Sequence, residues 1–132
     1  MVVKTITYTD YNGTERTEEF RFNLTTAEMA EMAMSTSGGL AAMIEQIVST
    51  QDMPAIMKLF KDFIMKAYGE KSLDGKKFVK VDKDGYKLAN DFVQTEAYNV
   101  LFMELIRDVN KASAFFNEII QSGDNKPAPA TN

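Results

Sequence analysis

The sequence predicts an α+β fold, namely an N-terminal β-hairpin followed by a bundle of about five to six short helices. Two short runs of alternating polar and apolar residues flank an Asn-Gly pair near the N-terminus, which is typical of a hairpin. Farther along the chain, apolar residues recur at helical spacing and capping residues precede them. The length of 132 residues suits one domain, and the absence of cysteine excludes disulfides and thiolate chemistry.

The chain is predicted to divide into one folded domain and a tail. We place the domain at residues 1–121, with the hairpin in 2–24 and the helical part in 25–121. Residues 122–132 contain two prolines and no apolar anchor, so we expect a disordered C-terminal tail.

The register of the hairpin follows from its buried face. A two-residue turn at Asn12-Gly13 would set Ile6 opposite Glu19 and divide the apolar side chains between the two faces. A three-residue loop, 11–13, instead puts Ile6 on the same face as Phe20. Because the buried face fixes the register, the sequence favours the three-residue loop with a glycine bulge. This face must then pack on helices or on another chain, because an isolated hairpin is only marginally stable.

The first two helices are predicted from caps and glycines. Thr25 and Glu28 match a capping box, and the helix that they begin should end near Ser35, before a Gly-Gly pair. A second helix is predicted over residues 40–50, with its apolar side chains on one face.

The third helix has the clearest pattern in the chain. Asp52 and Pro54 mark its start, and Gly69 is predicted to end it as a left-handed residue. Its apolar stripe should pack against the later helix that contains Leu101 and Leu105. The stripe consists of Ile56, Leu59, Phe60, Phe63, Ile64 and Ala67.

The remaining chain is predicted to be a loop followed by three helices. Residues 70–86 contain two Asp-Gly turns, with a short extended piece near the middle. A brief helix follows at 86–93. Thr95 can cap a longer helix, and either Asp108 or Asn110 can cap the last one.

The sequence gives little support for a chemical centre. Histidine is absent, which removes the commonest general base and transition-metal ligand. Asp82-Lys-Asp-Gly85 resembles a calcium loop, but Lys80 would stand at the first ligand position, so a plain turn is the better interpretation. No apolar run approaches the length of a membrane span. We therefore expect no enzyme activity, cofactor, metal, small-molecule substrate or membrane contact.

Charge is distributed unevenly along the chain. The formal net charge of −4 argues against nucleic-acid binding, yet residues 58–87 contain nine lysines and five acidic residues. This lysine excess fits either an ordinary solvated face or a docking surface for an acidic partner. Three apolar side chains also lie among the lysines, away from the helical stripe. They are either partner contacts or ordinary exposed residues. The candidate partner-binding residues are Met57, Lys58, Lys61, Met65, Tyr68, Lys71, Lys76 and Lys77.

Three blocks of the sequence resemble one protein family. They read TITYTDYNGTERTEEF at 5–20, AYGEKSLDGKKFVK at 67–80 and QTEAYNVLFMEL at 94–105. With the blocks in this order and at this spacing, the chain resembles the tail assembly chaperones of long-tailed phages of Gram-positive bacteria. The resemblance covers roughly residues 4–120, and none of the blocks is a catalytic signature.

The resemblance implies a non-enzymatic chaperone that binds the tape measure protein and the tail tube protein during tail assembly in the host cytoplasm. It also implies absence from the finished virion and, in many members, a second, longer form made by frameshifting. The alternative is a structural minor tail or head-tail connector component that is retained in the virion. A small carboxylate-dependent hydrolase is disfavoured because no pair of acids converges. Self-association is left open.

Overall fold

The computed structural model describes residues 1–35 and 51–124 and confirms the predicted α+β class. In these ranges it contains one four-stranded antiparallel sheet and five helices. No helix in the described ranges is long and apolar enough to cross a bilayer. The predicted second helix, 40–50, lies outside the described residues except at three positions, which are helical. These are Ala42, Glu45 and Ser49.

The N-terminal hairpin has the predicted register. Strands β1 (Val2–Thr9) and β2 (Glu15–Phe22) pair antiparallel, with Ile6 opposite Glu18. The turn has three residues and is closed by the Asp10 backbone N–H, which donates to the Thr14 carbonyl at 2.9 Å. Gly13 has φ of 84°, the left-handed conformation that a glycine bulge requires. The buried face, as the sequence indicated, decides the pairing.

The first two described helices begin at the predicted caps. Helix α1 (Thr26–Ser35) has a complete capping box, because Thr25 N–H donates to Glu28 Oε1 at 2.8 Å and Glu28 N–H donates to Thr25 Oγ1 at 3.1 Å. Helix α2 (Met53–Ala67) begins at Asp52, whose carboxylate accepts the Ala55 N–H at 3.3 Å.

A second hairpin follows α2 directly and extends the sheet. Strand β3 (Tyr68–Lys71) pairs with β2, and β4 (Phe78–Val79) pairs with β3, so the strand order is β1-β2-β3-β4. The sequence predicts a loop for most of this segment, with only a short extended piece. Strand β3 has four residues, too few for a period-two pattern to stand out.

The predicted role of Gly69 as a left-handed helix terminator is wrong. Helix α2 ends at Ala67, and Tyr68 is already extended, with φ of −66° and ψ of 140°. Gly69 belongs to β3, where a Cβ atom would lie 2.5 Å from Phe78 Cε2 and 2.7 Å from the Val79 carbonyl oxygen. The residue is therefore glycine because β4 approaches closely, and not because the backbone needs a positive φ.

Three further helices complete the described chain. They are α3 (Leu88–Phe92), α4 (Glu96–Arg107) and α5 (Val109–Asp124). Thr95 caps α4, since its hydroxyl accepts the Tyr98 N–H at 3.3 Å. Of the two caps left open for α5, Asp108 is used, and its carboxylate accepts the Lys111 N–H at 3.1 Å. Helix α5 continues three residues past the predicted domain boundary, and the rest of the tail lies outside the described residues.

The core is one cluster between the sheet and the helices. Helix α2 packs on α4, as predicted. It also packs on α5, because the Phe116 ring centroid lies 5.0 Å from that of Phe60 and 4.4 Å from that of Phe63. The predicted stripe of α2 is buried at every position, at Ile56, Leu59, Phe60, Phe63, Ile64 and Ala67.

Candidate functional site

The lysines of segment 58–87 do not form one continuous face. Those of α2 are exposed along one helix, and a second group surrounds the turn between β3 and β4. Lys80 differs from both groups, because it is half-buried and paired with a glutamate. The candidate residues are therefore divided between a helix face and a hairpin turn.

On α2, the predicted exposed residues are exposed. Met57 has 43% of its surface accessible and stands beside Lys58. Lys58 Nζ lies 2.7 Å from Asp62 Oδ2 one turn farther along, while Lys61 is also exposed. Surface pairs of this kind contribute little to stability, so this face can change its charge without endangering the fold.

Tyr68 does not lie on this surface, and the helical-wheel prediction for it is wrong. It is the first residue of β3, where strand alternation turns its ring inward. Only 9% of the residue is exposed, and its ring stacks on Phe92 with centroids 4.3 Å apart. Burial, with smaller contributions from nearby carboxylates, raises the pKa of Tyr68 to about 12.

Met65 is intermediate between the exposed lysines and the core. It is half-buried and packs against the core cluster, so it is less available than the sequence suggested. It lines a cleft of about 260 Å³ with residues from α1 and from the segment after β4. The other lining residues are Leu24, Glu28, Glu31, Lys66, Lys80, Val81 and Lys87.

The last residue of β3 and the turn that follows it, residues 71–77, are here called the basic tip. Its backbone is closed by the Ser72 N–H, which donates to the Lys77 carbonyl at 2.9 Å, and Lys77 N–H donates to Ser72 Oγ at 3.0 Å. Asp74 Oδ1 accepts both the Ser72 hydroxyl at 2.7 Å and the Lys76 N–H at 3.0 Å. The Lys76 N–H and then the Ser72 hydroxyl hold the pKa of Asp74 below its usual value.

These bonds decide which groups the basic tip offers to a partner. Asp74 Oδ1 accepts two bonds within the turn, and the side chains of Lys71, Lys76 and Lys77 are exposed around it. Leu73 at the end of the turn is fully exposed. Leu73 is not among the residues predicted from the sequence. The signal that could have found it is a leucine between a serine and an Asp-Gly pair, because turns of this type are normally polar.

Lys80, the residue that follows β4, is paired with Glu28 of α1. Its ammonium donates to Glu28 Oε1 at 2.8 Å and Oε2 at 2.9 Å, so Glu28 serves the capping box and this ion pair together. Burial would raise the pKa of Glu28, but hydrogen bonds from Lys80 and the Thr25 backbone outweigh it and lower the pKa. For Lys80 the burial dominates, so its pKa is also lowered.

The segment 82–85 is a turn. Asp82 Oδ1 accepts the backbone N–H groups of Asp84 and Tyr86, each at 2.9 Å, and Gly85 has φ of 84°. The hydrogen bonds of Asp82 are thus directed into its own turn. Across the described ranges, no group of three or more His, Cys, Asp or Glu residues is placed to hold a metal ion.

The fold and these surfaces define a small α+β domain whose candidate partner-binding lysines lie on a helix face and a convex hairpin turn. A family profile described as phage tail assembly chaperone matches residues 1–122, and the chain belongs to that family. The predicted resemblance is confirmed at this level. Comparisons with curated proteins and with solved structures give no match. The family is one of assembly chaperones and not a known class of enzymes.

Proposed function

We propose that the protein is a non-enzymatic assembly chaperone that binds the tape measure protein and the tail tube protein. It acts in the cytoplasm of the bacterial host before the tail is complete and is absent from the finished virion. The observation that carries the proposal is the family match over residues 1–122, which includes the whole lysine-rich segment.

The charge of the surface supports a protein partner with acidic groups. Segment 58–87 has four more basic than acidic residues in a chain whose net charge is −4. Complementary charge speeds encounter and favours the right partner, while exposed apolar groups prolong the complex. We propose that Met65 and Tyr68 support this surface from beneath. The direct contacts of the proposed docking surface are Met57, Lys58, Lys61, Lys71, Lys76 and Lys77.

Charge reversal tests the docking surface. Replacing Lys71, Lys76 and Lys77 by glutamate should slow association with the tape measure or tail tube protein and change its salt dependence. The matched control reverses three other exposed lysines and so makes the same change in net charge. The control residues are Lys83, Lys87 and Lys111.

The measurement is the association rate in a salt series, with circular dichroism to verify folding. We expect a clear loss for the first triple variant and a small change for the control. Equal rates for the parent and both variants would place the docking surface elsewhere.

Mass spectrometry of purified particles distinguishes the chaperone from the structural alternative. A chaperone that leaves before completion should be missing from the virion but present in lysates of infected cells. Recovery of the chain in stoichiometric amount with the tail proteins would instead assign it to the tail or to the head-tail connector.

A further inference from the structure

We propose that Leu73 is the apolar anchor of the docking surface and that it enters an apolar socket on the partner whose rim carries carboxylates. The inference rests on the proposed function and adds to it the chemistry of the partner's site. It follows from the shape of the basic tip, from the bonds that hold the turn and from the charges around the leucine.

The turn holds Leu73 in one outward position. Ser72 and Asp74, its two neighbours, are joined by a hydrogen bond of 2.7 Å between the hydroxyl and the carboxylate. Ser72 is bonded in addition to the backbone of Lys77 in both directions, and its carbonyl accepts the Gly75 N–H at 2.9 Å. A loop that is ordered before binding loses less entropy when a partner immobilises it.

The exposure of Leu73 is unlike that of the other apolar residues nearby. Phe78 and Val79 of β4 are half-buried against the sheet, whereas Leu73 is fully exposed and has no core to reach from the end of the turn. A convex side chain of this kind buries its surface only if the partner supplies a concavity. The partner's contact site is therefore a socket and not a flat face.

The surroundings of the socket follow from charge complementarity. Lys71, Lys76 and Lys77 are exposed around the leucine, while the carboxylate of Asp74 accepts bonds from within the turn. Glu70 precedes Lys71 on β3, and strand alternation turns its side chain to the opposite face. The tip therefore presents a leucine among three lysines and one aspartate, with a local net charge of +2, so a rim of aspartate and glutamate fits it best.

The same features fit other surfaces less well. A bilayer offers no socket, and one leucine with three lysines provides much less than the two strong anchoring signals that stable membrane attachment needs. Nucleic acid offers phosphates but gives an exposed leucine no counterpart, and the tip has no aromatic residue on which bases could stack. We therefore argue for a protein partner and treat the other surfaces as outcomes of the test.

The test measures the dissociation rates of Leu73 variants from the tape measure and tail tube proteins. Leu73→Ser should raise the dissociation rate about tenfold or more and change the association rate little, because burial of a leucine is lost while the charges remain. Leu73→Met should retain most of the affinity, since it conserves volume and apolar character. Val81→Ser removes a second exposed apolar side chain away from the turn and should have little effect.

A second variant separates the presentation of Leu73 from simple charge attraction. Asp74→Ala keeps the leucine and makes the tip more positive, so charge alone would tighten binding to an acidic rim. Loss of the Ser72 and Lys76 bonds should instead loosen the turn and raise the dissociation rate. A slower or unchanged dissociation rate would overturn the claim that the turn presents Leu73.

The outcomes distinguish this inference from the function on which it rests. If the parent chain binds neither tail protein, the proposed function fails. If the parent binds and Leu73→Ser dissociates at the same rate, the function stands and the anchor is refuted. The anchor would also be refuted if Leu73→Ser weakened binding to anionic vesicles or to RNA but left binding to the tail proteins unchanged. The thermal midpoints of the Leu73 variants should match that of the parent, because Leu73 contributes nothing to the core.

Discussion

The two hairpins of the sheet are held in place by different means. The β1–β2 hairpin pairs over eight residues a strand and buries Val2, Ile6 and Phe22 beneath it. The β3–β4 hairpin pairs over two residues and ends in a turn that is fixed by its own hydrogen bonds. Packing maintains the first hairpin, whereas local turn bonds maintain the tip of the second.

This difference means that the first hairpin serves stability, whereas the tip of the second is available for recognition. A hairpin held by packing cannot change its inward side chains without a loss of stability. The basic tip has no side chain in the core, so its residues can be chosen for a partner. Binding sites are commonly found on loops that a rigid scaffold positions, and here β1–β2 and the helices are the scaffold.

The largest difference in the free energy of unfolding is expected between variants at Phe22 and variants at Leu73. Phe22 is fully buried, and its ring centroid lies 5.9 Å from that of Tyr68, 6.0 Å from Phe92 and 5.5 Å from Phe115. Phe22→Ala should lower the free energy of unfolding by about 3 to 5 kcal/mol. Leu73→Ala should change it by less than about 0.5 kcal/mol. Urea denaturation measures both, and similar losses for the two variants would contradict the division between scaffold and tip.

A smaller loss of stability is expected from a substitution where the second hairpin joins the sheet. Gly69→Ala places a Cβ atom against the Phe78 ring and the Val79 carbonyl, so β4 must shift. We expect a loss of about 1 to 3 kcal/mol, as for other overpacked sites. Gly75→Ala is the matched control, because it strains a positive φ of 75° but meets no neighbouring atom within 4 Å. A larger loss for Gly75→Ala than for Gly69→Ala would show that close approach is not the reason for glycine at position 69.

The smallest effect concerns alkaline pH at the base of the second hairpin. The pKa of Tyr68 is raised to about 12, so its neutral form contributes stability that is fully present below the unfolded pKa near 10. This contribution is lost as pH rises from about 10 through about 12. Over that range the parent should lose roughly 1 to 2 kcal/mol more than Tyr68→Phe, a value reduced for solvent screening. Parallel pH profiles for the two proteins would show that the hydroxyl is not held in a buried site.

Much of the scaffold could be predicted because its signals are local and repeated. The period-two runs and Gly13 determine the first hairpin, and the α2 stripe extends over three turns. The caps at Thr25, Asp52 and Thr95 were found because each is a short motif with a defined hydrogen bond.

The second hairpin could not be predicted in the same way. Strand β3 has four residues and depends on pairing with β2, whose paired residues lie 46 to 48 positions earlier in the sequence. Tyr68 was therefore assigned an outward direction by extending a helix that ends one residue earlier. The exposure of Leu73 depends on turn bonds that a hydrophobicity pattern does not record.

The most direct test of the account is hydrogen exchange of the chain bound to the tape measure protein, compared with the free chain. We expect added protection at residues 71–77 and at the start of α2, with β1 and β2 exchanging as in the free protein. Protection along the outer edge of β1, with residues 71–77 unchanged, would contradict the account and assign recognition to the first hairpin by strand addition.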